Sequence, residues 1–344
     1  MRHLQETSAT FDRNFQFNVE HVSLAKLADI FLVAPASADV IGKIANGIAD
    51  DMLTTTIMAC KCPKLISPAM NTNMFTNPIV QDNLKKLEHY GYEIIQPDSG
   101  YLACGDTGAG KMPSEQVLLN YILRTIAKDK DMAGIKLTVT AGPTREKLDP
   151  VRFLSNNSTG KMGYAIAKMA MLRGADVTLI SGKVSLEPVP FVKMVDIVSA
   201  EDMYNAVIKS AKDADIIIKA AAVADYRPCD VSDEKIKKKD GDMSISLERT
   251  KDIIGTLGSS KRDGLFLCGF SMETEHMLDN SKVKLTKKNL DMIVANNVKV
   301  AGAGFGTDTN VVTVITKDAV EELPMMSKEE VADALLDRIM KARQ

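Results

Sequence analysis

The chain has no tryptophan, and only 5% of its 344 residues are aromatic. Stacking on nucleic-acid bases is therefore set aside as a main activity. Neither charge sign is in surplus: 43 Lys and Arg stand against 45 Asp and Glu, for a formal net charge of -2. A general nucleic-acid binder needs a basic excess for its phosphate contacts, so no nucleic-acid partner is expected. No apolar run approaches the roughly 18 residues of a membrane span, so no membrane partner is expected either. The opening stretch MRHLQETSATFDRN is polar and lacks the apolar centre of a secretion signal, so a cytoplasmic protein is expected. Cysteine is scarce. The five, Cys60, Cys62, Cys104, Cys229 and Cys268, are odd in number and suit a reducing compartment. Cys60 and Cys62 form a CxC without a second ligand pair, which argues against zinc.

What is present is ordinary globular composition, 45% hydrophobic and 26% charged, which excludes large-scale disorder. At about 100–200 residues per domain, the length predicts two domains. Short continuous apolar runs alternate with helix-type spacing. Strands are predicted at Asp29–Ala34, Lys64–Ser67 and Glu93–Gln96, with helices at Ile41–Ala59 and Ile79–Tyr90. A charged stretch with a Gly, 127–134, breaks the pattern and marks a linker, giving domains 1–130 and 131–344. The alternation then restarts. Strands are predicted at Ile135–Ala141, Asp176–Ser181, Asp215–Ala220, Phe266–Gly269 and Met292–Ala295. Helices are predicted at Met162–Arg173, Ala200–Lys212, Lys251–Leu257 and Ser327–Arg343, with Gly174 as a C-cap. Apolar strands between helices indicate mostly parallel sheets covered on both faces. The predicted fold is α/β: two consecutive Rossmann-like, three-layer domains.

In such sheets, ligands bind beyond the carboxyl ends of the strands. The segment after the strand at Ile135, from Ala141 to Gly163, is long, polar and rich in turn formers. It carries Arg145, Lys147 and Arg152, with Lys161 at the start of the next helix. Ser158-Thr159-Gly160 leads into that helix, where free N–H groups suit an anion. A solvated loop with a Ser or Thr N-cap would read similarly. The P-loop is excluded: Ser155 stands where its first Gly belongs and Met162 where Ser or Thr belongs. The fingerprint GxGxxG is also missing after this strand. A second cluster follows the strand at Asp215: Asp225, Arg227 and lysines 235, 237, 238 and 239. A third holds Lys284 and Lys288, four apart on one helix face, with Phe270 just upstream. Basic groups from several strand ends point to a triphosphate and a second phosphorylated molecule.

Here the residues meet a family. TAGPTREKLDPVRFLSNNSTGKMG, AAVADYRP, EKIKK, TKDII, GFSME and KLTKKNLDMIVAN resemble, in order and spacing, the phosphopantothenate–cysteine ligase domain. The first half resembles its fusion partner, the flavoprotein phosphopantothenoylcysteine decarboxylase, and the likeness runs from about His21 onward. Together the two halves resemble the bacterial bifunctional coenzyme A biosynthesis protein family. The resemblance implies that CTP, with Mg2+, activates the carboxylate of 4'-phosphopantothenate as an acyl-cytidylate. The amine of cysteine then displaces CMP, yielding 4'-phosphopantothenoylcysteine. By motif, Asn156 would hold the acyl-cytidylate, Arg152 would support it and Lys235 would stabilise the developing charge. Asp225, Lys235, Phe270, Lys284 and Lys288 match nucleotide contacts, and Ala222 matches a position where only a small residue leaves room for substrate.

In the first half, His21 precedes the first strand, and Pro35-Ala-Ser-Ala-Asp39 and Pro68-Ala-Met-Asn71 follow the first two. A glycine-rich loop surrounds Cys104, with Gly100, Gly105, Gly108 and Gly110 free to fold it over a ligand as a flap. These resemble the motifs of the FMN-dependent cysteine decarboxylases. The resemblance makes His21 the active-site histidine, Asn71 the binder of the substrate carboxylate and Cys104 the proton donor of the last, reductive step. Ser37 falls in the FMN-contacting stretch. FMN would oxidise the substrate thiol, carbon dioxide would leave, and the reduced flavin would return the electrons. Homo-oligomers are implied, dimers through the ligase half and trimers through the decarboxylase half.

Three departures stand out. Asp39 and Val40 replace the usual Asn and Thr, and Lys111 replaces an Arg. The family opens with a strand and a GG-I-A-YK or GS-I-A-YK turn that holds part of the FMN phosphate, and residues 1–20 contain no such segment. Weak or absent FMN binding is therefore expected. Two other readings compete: a ligase with a non-catalytic, oligomerising first half, and a nicotinamide-dependent oxidoreductase.

Overall fold

The structure, a computed structural model, describes residues 19–101, 107–238, 243–272, 277–296, 304 and 306–344. It falls into two compact units that divide between Lys128 and Asp129.

The first unit holds a parallel sheet of three strands, Phe31–Ala36, Lys64–Pro68 and Glu93–Ile94, in that order. Helices Ala38–Ala45 and Pro78–His89 cover one face, packing Ile41, Ile44, Val80, Leu84 and Leu87 on Val33, Ile66 and Ile94. Leu65 and Ile95 face the other way, onto Leu118 of helix Glu115–Ile126. The helix expected over 41–59 is two helices, Ala38–Ala45 and Met52–Ala59. The break has a local cause: Gly47 takes a left-handed backbone, and Asp51 caps the second helix by accepting the Thr54 N–H at 2.8 Å. The strand expected over 93–96 pairs only at Glu93 and Ile94.

The second unit is built on an eight-stranded sheet. Its order is Lys193–Asp196, Asp176–Ser181, Lys136–Ala141, Ile216–Lys219, Phe266–Met272, Met292–Asn296, Val312–Ile315 and Val320–Glu322. The first six strands are parallel and the last two antiparallel. In chain order the parallel six read 3-2-1-4-5-6, the doubly wound arrangement. Alternation along single strands shows why the runs are continuously apolar. Ile216 and Ile218 enter the layer under helices Lys161–Leu172 and Lys328–Arg343, while Ile217 enters the layer under Ala200–Ser210 and Ile253–Ser259. Each such side chain, wholly withdrawn from water, contributes about 1.5–3 kcal/mol. The C-cap of the first of those helices is Arg173, and Gly174, expected there, is the next residue, in a left-handed conformation at φ +88°. The antiparallel pair at the sheet's end and the strand Lys193–Asp196 were not predicted, although Val311-Val-Thr-Val-Ile315 is a β-branched run of the kind that marks a buried strand.

Candidate functional site

A 3-2-1-4-5-6 sheet has its crevice where strand 1 and strand 4 lie side by side and their connections leave in opposite directions. Here those strands are Lys136–Ala141 and Ile216–Lys219. Beyond their ends the two chains stay laced together. Ala222 N–H donates to Gly142 O at 3.0 Å, and Thr144 N–H donates to Ala222 O at 3.3 Å. Asn156 Nδ2 donates to the same Ala222 carbonyl at 3.0 Å. A short hairpin, Arg145–Lys147 against Phe153–Ser155, delivers Asn156 there, and Ser155 Oγ ties it to Thr144 O at 2.8 Å. The loop that reads as irregular in sequence thus folds back to place Asn156 beside Ala222.

A cleft opens at this point, lined by Ser158 to Gly163, Ala220 to Ala222, Phe270, Asn296 and Lys328, among others. The N-cap of helix Lys161–Leu172 is Gly160, and no side chain caps the helix. The Ser/Thr cap is therefore not the answer: the first N–H groups are left facing the cleft, as an anion requires. Gly163 is needed for packing, since a Cβ there would sit 2.6 Å from the Ala141 Cβ and 2.9 Å from Thr140 O. Lys328 had no signal beyond its place at the start of an amphipathic helix. It is 6% exposed and donates to the carbonyls of Gly304, Thr307 and Thr309. Burial and the nearby Lys161 push its ammonium pKa down, with Asp308 opposing. Lys161 Nζ bonds to Asp308 at 2.6 Å and to Gly306 O at 3.1 Å.

Three of the expected nucleotide residues line two clefts. Phe270 lines the first, together with Ala222, the position expected to leave room for substrate. Asp225 and Lys288 line a second, with Lys219, Thr250 and Asp252. Lys235 and Lys284 are in the lining of neither. Lys288 lies one residue past its helix, Met277–Lys287, and its N–H still bonds to Lys284 O at 3.0 Å, one turn back. Its ammonium pairs with Asp252 at 2.9 Å. Lys219, the last residue of its strand, escaped the sequence reading because it closes a run of isoleucines. Burial lowers its pKa, Lys288 and Lys284 lower it further, and Asp252 and Asp225 oppose them.

Arg152 and Lys235 meet through a third residue. Asp149 Oδ1 accepts the N–H groups of Val151 and Arg152 at 2.8 and 2.7 Å. Its Oδ2 accepts the Ile236 N–H at 3.2 Å and faces Arg152 Nη1 at 3.3 Å. Arg152 Nη1 also donates to Ile236 O at 3.3 Å. Lys235 itself is exposed.

In the first unit, Ala36 and Pro68 are paired across adjacent strands, and Ala69 N–H bonds to Ala36 O at 3.0 Å. The segments carrying Ser37 and Asn71 therefore leave one sheet edge together. Ser37 caps helix Ala38–Ala45 through the Val40 N–H, 3.3 Å away. Asn71 caps the turn Thr72–Phe75. The glycine-rich loop is a β-hairpin, Asp98–Tyr101 against Thr107–Lys111. It lies on the Asn71 segment: Met70 N–H donates to Gly110 O at 3.0 Å, and a Cβ on Gly110 would be 2.2 Å from Met70 O. Cys104, between the two strands in sequence, lies outside the described residues. His21 sits on helix Glu20–Leu27, and its Nδ1 is buried without a hydrogen-bond partner among the described residues, as is Thr72 Oγ1. Thr72 Oγ1 lies against the hairpin, 2.4 Å from where a Cβ on Gly108 would stand, and an open polar atom beside a glycine-lined strand fits a flavin or its substrate. The charge of Asp39 is met by Lys43 at 3.5 Å. Among the described residues, no group of three or more His, Cys, Asp or Glu side chains is placed to hold a metal.

Comparison with known proteins agrees with both halves. Residues 132–342 match the family described as DNA/pantothenate metabolism flavoprotein C-terminal domain, and residues 1–127 match the family described as flavoprotein. The coenzyme A biosynthesis bifunctional protein CoaBC of Bacillus subtilis is 47% identical over 334 residues, covering 96% of this chain and 82% of that protein. The protein of the same name from Haemophilus influenzae is 40% identical, covering 98% of this chain and 84% of its own. A crystal structure of a CoaBC C-terminal domain is 44% identical with TM-score 0.53, covering 62% of this chain and 97% of that one. The chain belongs to the CoaBC family of bifunctional coenzyme A biosynthesis proteins, flavoprotein half first and ligase half second.

Proposed function

We propose that the two units act in series on one molecule. The second unit ligates cysteine to 4'-phosphopantothenate with CTP, and the first decarboxylates the product. Each residue role rests on its motif and on the placement described above. In the ligase unit, the substrate carboxylate attacks the α-phosphorus of CTP and pyrophosphate leaves, with Mg2+ arriving on the nucleotide phosphates. Asn156 and Arg152 hold the acyl-cytidylate, and Lys235 meets the negative charge that develops on the phosphorus oxygens. Ala222 keeps the wall low where the acyl group sits. Asp225, Phe270, Lys284 and Lys288 contact the nucleotide. The amine of cysteine then attacks the acyl carbon and CMP departs. The observation that carries this reading is the Asn156–Ala222 bond at the strand 1/strand 4 crevice, beside a helix terminus that no side chain caps.

In the first unit, the flavoprotein match over residues 1–127 assigns FMN as the cofactor. The expectation of weak FMN binding rested on residues 1–20, of which 1–18 lie outside the described ones. FMN supplies two-electron oxidation and reduction when bound. His21, Ser37 and Asn71 would surround substrate and flavin, with Asn71 on the substrate carboxylate and Cys104 returning a proton. The nicotinamide reading finds no support, because no GxGxxG follows strand 1.

Among the described residues no helix is long and apolar enough to cross a membrane, and we place the protein in the cytoplasm. A homo-oligomer, dimeric through the ligase unit and trimeric through the decarboxylase unit, completes the reading. Exposed Tyr226, Val231, Ile245 and Leu247 near the hairpin Tyr226–Pro228 with Leu247–Arg249 support an apolar contact with a second copy. The test is direct. The purified protein should form 4'-phosphopantothenoylcysteine from CTP, cysteine and 4'-phosphopantothenate, and Lys235→Ala should abolish it. Full activity of Lys235→Ala would remove that lysine from the site.

A further inference from the structure

We propose that Asp149 is the positioning residue that holds Lys235 in place for acyl-nucleotide formation, by gripping the backbone of the next residue. This rests on the role of Lys235 given above.

The Asp149 side chain is 0% exposed, and its two oxygens face four donors. Three of the donors, the N–H groups of Val151 and Arg152 and the Arg152 guanidinium, are local. The fourth lies 87 residues away. Oδ2 takes the Ile236 N–H, and the Arg152 guanidinium spans Oδ2 and Ile236 O. A second clamp runs alongside, from Ser232 N–H to Leu148 O at 3.1 Å. A turn alone would need none of this. Burying a carboxylate is costly unless it is fully bonded, so the long-range bonds are what the burial secures.

Lys235 has no comparable anchor. Its ammonium makes no hydrogen bond or ion pair among the described residues, and no regular strand or helix holds residues 229–238. What locates its Cα is the backbone of Ile236, and Asp149 with Arg152 holds that residue at both its N–H, in the peptide shared with Lys235, and its C=O, in the next peptide. The same carboxylate also sets the loop bearing Arg152, so one buried group keeps the expected substrate cation and the expected catalytic cation in fixed register. Charge near the reacting phosphorus works only if it is in place beforehand.

The test is pyrophosphate release from CTP and 4'-phosphopantothenate without cysteine, together with hydrogen exchange of the 230–238 segment. Asp149→Asn should lower kcat about tenfold or more with KM for CTP within about twofold, and should speed exchange at Ile236. Faster exchange with unchanged kcat overturns the proposal. So does a lower kcat with unchanged exchange, which would confine Asp149 to its own turn. Ile236→Pro removes the captured N–H and leaves the Asp149 turn intact. It should reproduce the kcat loss, and normal turnover by that variant also overturns the proposal, even if Asp149→Asn does not fold. Lys235→Ala separates the two levels: if it still releases pyrophosphate normally, the assignment of Lys235 fails, whatever the exchange data show.

Discussion

Asn156 and Ala222 are joined side chain to backbone, Nδ2 to carbonyl at 3.0 Å, across the mouth of the crevice between strands 1 and 4. The bond gives Asn156 a fixed orientation at an otherwise open position. Asn156→Asp would set a carboxylate oxygen against that carbonyl, and both groups only accept. We expect formation of 4'-phosphopantothenoylcysteine to fall by about 10²–10³-fold, the range for losing one preorganised donor. The melting temperature should stay nearly constant, because surface substitutions cost about 0.5 kcal/mol or less. A steady-state assay paired with a thermal melt checks both.

Ala222 allows a sharper steric test. Ala222→Val adds two methyl groups to the wall of the cleft, at the point where Gly142 and Thr144 hold the backbone still. The wall cannot retreat, so the added volume falls on the ligand. KM for 4'-phosphopantothenate should rise at least about tenfold, which corresponds to roughly 1.4 kcal/mol. Titration of the acid substrate at saturating CTP measures it.

The decarboxylase half can be disabled alone. At Gly110 a Cβ would stand 2.2 Å from Met70 O, and the backbone has φ +128°. Gly110→Ala should lift the hairpin off the Asn71 segment. Carbon dioxide release from 4'-phosphopantothenoylcysteine should fall at least about tenfold, in keeping with the cost of an ångström-scale misplacement. Ligation of cysteine by the same protein should be unchanged. Assaying both reactions on one preparation decides it.

A buried electrostatic knot stabilises the second unit. Arg173, 7% exposed at its side chain, pairs with Asp131, Asp333 and Asp337. Arg173→Met should cost about 3 kcal/mol, the low end for breaking a buried pair, because two of the three carboxylates keep much of their water. For a domain of this size that is a fall in Tm of about 6–12 °C. The pH dependence has a definite sign. The hydrogen bond from Arg173 holds the Asp131 carboxyl below its usual range, against burial. Its stabilisation is therefore complete above the unfolded carboxyl value of about 3.9 and is lost as pH falls below it. The gap in Tm between wild type and variant should persist from pH 7 to about pH 5 and close below about pH 4.

Legibility followed physical locality. Continuous apolar runs such as Ile216 to Ile218 announce strands buried on both faces, and their order with helices announces a parallel sheet. The strand Lys193–Asp196 stays hidden because it is short, polar at both ends and half covered. Asn156 and Lys235 were reachable through long motifs that keep their spacing. Their connection was not, because Asp149 meets Ile236 only after 87 residues of chain have folded. Lys328 and Lys219 were missed for a related reason. A lysine at a helix start or a strand end has no local mark that separates a solvated group from one drawn into a cleft.

The rims of the large sheet limit its growth. Its last strand, Val320–Glu322, spans three exposed residues, and Glu321 is fastened to Arg338. Its first, Lys193–Asp196, opens on a cation and closes on an anion, both exposed. Eight strands present a long ladder that another chain could extend, and charge on short terminal strands is what prevents such stacking. Replacing Glu321 and Glu322 with valine would strip one rim of that guard, turning a finite sheet into a seed for fibres.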